Sequence, residues 1–122
     1  KDIPGHYIEW MRNLKMYHET GNFILVHAGL NFNINDPFQD EWAMLWVKDY
    51  KIKPEKIGHR RLIHGHVPVN LEFIDISLHN PKYPFIDLDN GCYMINRPGF
   101  GNLLALELGS FDLKVQPNLD MD

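Results

Sequence analysis

Apolar residues along this 122-residue chain change their spacing near the middle, from a helical to a strand-like rhythm. Pro4 is followed by Tyr7, Ile8, Met11 and Leu14 at helical intervals, which predicts a first helix packed by that stripe. Gly21-Asn22 then turns the chain into Phe23-Ile24-Leu25-Val26-His27-Ala28-Gly29, whose unbroken apolar run has the character of a buried strand. Asp36-Pro37-x-Gln39 offers an N-cap, a proline at the first helical position and a capping-box partner. Phe38, Trp42, Leu45 and Trp46 share one face of the helix this predicts, with both tryptophans expected as core anchors. After Pro54 the runs shorten, and strands are expected at 62–65, 71–76, 85–88, 91–95, 103–108 and 111–115. Pro98-Gly99 and Gly109-Ser110 read as tight hairpin connections, the second with the glycine-first pattern of a type II′ turn. The expected product is two helices followed by an antiparallel or mixed sheet.

Composition narrows the class. A chain of 122 residues with 44% hydrophobic content fits one ordered domain, and no linker or low-complexity tract interrupts it. The net charge of −4, with His59-Arg60-Arg61 as the one basic knot, argues against a nucleic-acid partner, which needs clustered cations on the phosphate backbone. Cys92, the single cysteine, has no internal disulfide partner, and no apolar stretch approaches the roughly 18 residues of a membrane span. A reducing, cytoplasmic setting away from membranes is the expectation.

Candidate chemistry concentrates on histidines at strand ends. Arg61-Leu62-Ile63-His64-Gly65-His66-Val67-Pro68 delivers an imidazole into a Gly-His-x-Pro turn, where glycine permits a tight path and proline stops the strand. His27 is presented in the same way by His-Ala-Gly, and two such histidines suggest a metal site. Neutral imidazole suits Mn, Fe and Zn, and rigid strand ends limit the reorganisation that binding demands. Taken alone, His27 also reads as a hydrogen-bonded histidine closing a core strand. His64 alternates with His66, so the two side chains should point to opposite faces, with His64 structural or supporting. His59 reads as a solvated loop charge, and His6, His18 and His79 have no motif context. Asp87 and Asp89 alternate on a strand and invite an acid/base reading. Lys48 ends the Trp-rich helix and, on the residue alone, reads as a charge offsetting the helix dipole.

The order of these motifs resembles the C-terminal half of a calcineurin-like metallophosphoesterase, nearest to the bacterial serine/threonine phosphatase and diadenosine tetraphosphatase-like branch. The likeness rests on His27-Ala28-Gly29, on Leu45-Trp46-Val47-Lys48 in place of Leu-Trp-x-Arg, and on Gly65-His66-Val67-Pro68. Asp89-Asn90-Gly91-Cys92 and the strand from Leu103 to Leu108 complete it, so it covers almost the whole chain. What it implies is an α/β fold, the C-terminal part of a four-layer α/β/β/α sandwich. It also implies a phosphoester hydrolase that activates water with two divalent metal ions, Mn, Fe or Zn. His27 and His66 match two ligands of one ion, and Lys48 matches a substrate-binding cation. The structural reading of Asp87 and Asp89 comes from this resemblance alone. The substrates implied are a phosphorylated small molecule, a dinucleoside polyphosphate or a phosphoprotein.

Members of that family open with Gly-Asp-x-His-Gly, Gly-Asp-x-Val-Asp-Arg-Gly and Gly-Asn-His-Glu, and none of these motifs occurs in this sequence. Residues 1–122 are therefore expected to be a partial domain of a larger hydrolase, with the acid and bridging carboxylate in the missing half. The isolated chain is expected to be inactive, to hold metal weakly or not at all, and to cover its open sheet face with the missing half or by self-association. The alternative is a non-catalytic fragment or interaction module of the same fold. A stand-alone metal protein is disfavoured, because two neutral ligands make a poor site.

Overall fold

The computed structural model describes residues 2–120. Helix α1 covers Gly5–Arg12, and strands β1 (Tyr17–Thr20) and β2 (Phe23–Val26) form a hairpin across Gly21-Asn22. Helix α2 is Glu41–Trp46 and β3 is Arg61–His64. Helix α3, Leu71–His79, precedes β4, Phe85–Asp87, and the chain closes with β5 (Asn102–Leu106) and β6 (Leu113–Pro117). The first four strands lie in the order β1-β2-β3-β4, while β5 and β6 make a separate antiparallel pair. β1 runs antiparallel to β2, whereas β2, β3 and β4 are parallel, with Ile24 beside Leu62 and Ile63 beside Ile86. The chain is thus mixed α/β, with one mixed sheet and one antiparallel hairpin.

Alternation along the strands splits the core into two layers. Ile24, Val26 and Leu62 face α2 and the loop after β2, where Leu30, Phe32, Met44 and Ile57 are buried with them. Ile63 and Ile86 face the opposite way, onto Leu78 of α3 and the half-buried Leu106, Leu108, Phe111 and Leu113 of the hairpin. Ile24 and Leu62 have no solvent exposure, so truncating either to alanine should cost about 2–5 kcal/mol.

Several expectations from sequence are corrected by the fold. Residues 71–76 form the first part of α3 rather than a strand: Asn70 caps the helix by accepting from Phe73 N at 2.8 Å, and Ile74, Ser77 and Leu78 are its buried face. The β-branched pair Ile74 and Ile76 favours a strand, but the cap and the helical spacing prevail because β3 and β4 are parallel and need a crossover between them. Residues 91–95 are not a strand either, since Met94 N donates to Gly91 O at 2.8 Å and Arg97 N to Met94 O at 3.2 Å in successive turns. Pro98-Gly99 belongs to that turn region instead of joining two strands. A type II′ turn at Gly109-Ser110 is replaced by a longer loop, in which Phe111 N donates to Glu107 O at 2.8 Å and Phe111 takes a left-handed φ of 64°. β1 carries no clear signal in the sequence, and it places a strand pair before α2.

The expected packing of α1 also fails, because the helix buries no residue and Tyr7, Met11 and Leu14 all face solvent. Trp42 and Trp46 are likewise exposed rather than core anchors, and Ala43 and Met44 form the buried side of α2. The Asp36-Pro37 signal starts a short 3-10 turn, Pro37–Gln39, and α2 is capped afresh by Asp40, which accepts from Ala43 N at 3.0 Å. A second cap four residues on rotates the tryptophans out of the core. No helix among the described residues is long and apolar enough to cross a membrane.

Candidate metal centre

Three parallel strands end together, and the residues just past their ends form the site. Beyond β2, β3 and β4 these are His27, Gly65-His66 and Leu88-Asp89. This is the edge at which open α/β sheets hold ligands, because side chains converge there without disturbing the ladder. The ladder even runs one step past the strands: Gly65 N donates to His27 O at 2.8 Å, and Leu88 N donates to His64 O at 2.7 Å. The backbones that carry His27 and His66 are therefore fixed to each other.

Each histidine has its own brace. Ala28 N donates to Met44 O at 2.9 Å, and Tyr50 Oη donates to Ala28 O at 3.1 Å, tying the His-Ala-Gly segment to α2 and to the chain beyond it. Gly29 packs so closely that a Cβ there would run into the Tyr50 ring, which accounts for a glycine with no unusual φ. The same loop is closed farther on by Lys56, whose Nζ donates to Phe32 O at 3.0 Å and Ile34 O at 2.6 Å. Asn31 Nδ2 adds a bond to Asp40 Oδ2 at 2.8 Å, the main reason the Asp40 carboxyl titrates below its usual range.

His66 lies just past β3 in the left-handed region, at φ 75°. A side chain in that conformation is strained by roughly 1–3 kcal/mol and persists only where its surroundings enforce it. The result is that His66 Nδ1 stands 3.2 Å from His27 Nε2. Nitrogens bound to one ion at about 2.1 Å and separated by an angle near 100° would lie about that far apart, so the pair fits two adjacent positions of a single coordination shell. In the metal-free chain the same separation is a hydrogen bond between one protonated and one unprotonated nitrogen. The other nitrogen of His66, Nε2, is buried and has no hydrogen-bond partner among the described residues. A buried ring nitrogen without a partner is costly whether it carries the proton or the lone pair, which marks this ring as incomplete in its setting. No group of three His, Cys, Asp or Glu side chains among the described residues is arranged to hold an ion, so the residues present fit part of a shell only.

The pair opens onto a groove of about 800 Å3 across the sheet, bordered by Leu25, Ile63, His64, Leu88, Asp89 and Leu106 among others. Trp46 stands edge-on to His66, with ring centroids 6.0 Å apart, although it is 56% exposed. Its spacing from Trp42 signalled a helix face and nothing more. Lys48 is exposed, lies beyond the end of α2 and does not border the groove.

His64 turns away from the pair into the protein. Its ring lies against Tyr50 and Phe85, and Nδ1 is 3.1 Å from Gly65 O. Burial pushes its pKa down, opposed by that carbonyl and by Asp89. Asp87, opposite His64 in the β3–β4 register, is only 3% exposed, and burial is the main cause that raises its carboxyl to about 7. Tyr50 is pushed upward as well, by burial first and by the Asp87 charge second. No motif announces Tyr50; the glycine it crowds at position 29 is the only sequence trace of it. Asp89 differs from Asp87, since it borders the groove and its Oδ1 accepts from Gly91 N at 2.9 Å.

Compared with protein-family models, with curated proteins and with solved structures, the chain matches none.

Proposed function

We propose that this chain is the part of a metal-dependent phosphoester hydrolase that supplies two histidine ligands, His27 and His66, to one ion of a dinuclear centre. The observation that carries the proposal is the 3.2 Å approach of His27 Nε2 to His66 Nδ1 at the carboxyl ends of parallel strands. On this reading the architecture is the C-terminal part of a four-layer α/β/β/α sandwich, and the groove faces the layer that carries the remaining ligands. Divalent ions bound there supply charge neutralisation at phosphorus and acidify the attacking water.

The chain's own contribution is positional. Strand pairing sets the distance between the two imidazoles, so little reorganisation opposes ion binding. Each ring presents a neutral nitrogen, so the compensating negative charge must come from carboxylates outside the pair. His66 Nε2 is buried and the Trp46 ring stands edge-on to the same imidazole, so its orientation is limited by packing. Lys48, which lies outside the groove's border in this chain, is proposed as a cation for substrate phosphate. Lysine keeps the charge but lacks the two-pronged donor geometry of arginine.

The test is manganese-dependent hydrolysis of p-nitrophenyl phosphate and of a dinucleoside polyphosphate by the intact parent protein. His27→Ala and His66→Ala should each lower metal content and reduce activity by orders of magnitude, and Lys48→Ala should raise KM. Full metal occupancy and normal turnover in both histidine variants would overturn the proposal. A second reading, a non-catalytic interaction module of the same fold, is favoured by the apolar side chains of α1 that face solvent. It would require the intact parent to lack hydrolytic activity with wild-type His27 and His66 in place.

A further inference from the structure

The turn that carries His66 is seated on one buried amide. Asn90 is 1% exposed, and its side chain uses its full hydrogen-bonding capacity. Nδ2 donates to Val69 O at 2.9 Å and to Gly99 O at 2.8 Å. Oδ1 accepts from Asn102 N at 3.2 Å and from Asn102 Nδ2 at 2.7 Å. Two segments distant in sequence meet on it: the exit of the His66 turn at Val69, and the stretch from Gly99 to Asn102 that leads into β5.

The flanking residues press on the same turn. Val69 N donates to Asp89 O at 2.9 Å, so Val69 is held through both its amide and its carbonyl. A Cβ at Gly91, where φ is 61°, would lie 3.1 Å from Pro68 Cβ, and one at Gly65 would lie 3.2 Å from Asp89 Cβ. The 89–91 corner therefore touches the turn at 65, 68 and 69, on both sides of His66. A left-handed histidine needs such enforcement, and this corner supplies it before and after His66 in the chain.

We propose that Asn90 is the positioning residue of the site: its amide locks the 65–69 turn and so holds the His66 ring against His27 and Trp46. Its consequence for metal affinity rests on the hydrolase reading above, but the ring geometry does not. Asn90 touches neither imidazole and acts only through the backbone of Val69 and Gly99. Losing it would free the turn to relax out of the left-handed region, since a fully satisfied buried amide specifies one arrangement of its partners.

The experiment is proton NMR on the whole 122-residue chain. Wild type should show nuclear Overhauser contacts from the His66 ring to the His27 and Trp46 rings, whose centroids are 5.0 Å and 6.0 Å away. Asn90→Asp keeps the shape but sets an oxygen against two carbonyls, and it should abolish both contacts while the Tyr83–Phe85 contact persists. Asn90→Ser, a milder change, should weaken them. Ser77→Ala, which removes a buried bond to Ile74 O in α3, should lower stability and leave both contacts intact. Unchanged His66 contacts in Asn90→Asp would overturn the proposal. Unfolding of both Asn90 variants would overturn it too, because a residue that only seats a turn leaves the rest of the sheet standing. Zinc binding in the same samples separates the two readings: on the hydrolase reading Asn90→Asp weakens it by about 10- to 100-fold. Ring contacts in the wild-type chain together with zinc shifts confined to histidines other than His27 and His66 would sink the metal site and leave the role of Asn90 standing.

Discussion

Gly65 donates its amide to the carbonyl of His27 at 2.8 Å, one residue before His66 enters its left-handed turn. The two candidate ligands are thus joined by the sheet itself rather than by mobile loops. Their separation should be insensitive to what fills the groove, and the imidazole pair should be present before any ion arrives.

Two neutral imidazoles alone hold an ion weakly, so the isolated chain should bind zinc or manganese poorly and hydrolyse no p-nitrophenyl phosphate. Calorimetric titration and a colorimetric assay check this. Manganese-dependent hydrolysis by the purified chain, abolished by His66→Ala, would mean that the chemistry does not need further ligands.

Gly29→Ala should destabilise the chain by about 1–3 kcal/mol, because the added carbon meets the Tyr50 ring and the core there is closed. The cost should shrink in a Tyr50→Val background, where the obstructing ring is gone; urea unfolding of the four proteins gives the coupling. Equal costs in both backgrounds would show that the glycine is there for another reason.

Asp87 sets a pH dependence of stability with a definite sign. Its folded-state carboxyl is raised from 3.8 to about 7 by burial, so the folded chain takes up a proton that the unfolded chain has already lost. The stabilisation is complete below the unfolded value and disappears as pH rises through about 7, with an upper bound of roughly 4 kcal/mol. Asp87→Asn should flatten this part of the pH profile in chemical unfolding. A wild-type stability that stays level or increases from pH 4 to pH 7.5, with Asp87→Asn behaving identically, would contradict a protonated Asp87 in the fold.

The exposed apolar groups Met11, Leu14 and Leu45 border the groove, and Trp10 and Trp46, their neighbours in sequence, are exposed as well, so that water covers much apolar surface there. Sedimentation equilibrium at micromolar concentration should show self-association that Trp10→Glu with Leu45→Glu reduces. A strict 14.3 kDa monomer at all concentrations would mean that this face needs no cover.

How legible each feature is in the sequence depends on how local its signal is. His27 and His66 are readable because an apolar strand and a following Gly or Pro mark a strand end within a few residues. Their meeting is anticipated only through the order of motifs, since no local signal carries it and it depends on β2 and β3 pairing in parallel across a long connection. α3 reads as a strand because Ile74 and Ile76 favour strands locally, while the need for a crossover between parallel strands is a property of the whole sheet. Trp42 and Trp46 go astray by a cap: Asp36 and Asp40 both qualify, and the second one sets the face of α2 that is buried. Tyr50 and Asn90 carry no motif, and only tertiary packing reveals that one braces Ala28 and the other Val69.

His27 Nε2 and His66 Nδ1 are, on this account, ligands of one ion. The most direct measurement is a zinc titration of the chain followed through the imidazole 15N resonances of all seven histidines. The pair should respond together, at His27 Nε2 and His66 Nδ1, with His64 and the other four unmoved and the response lost in either alanine variant. Zinc shifts confined to His6, His18, His59 or His79, or a His27 response that survives His66→Ala unchanged, would contradict the claim.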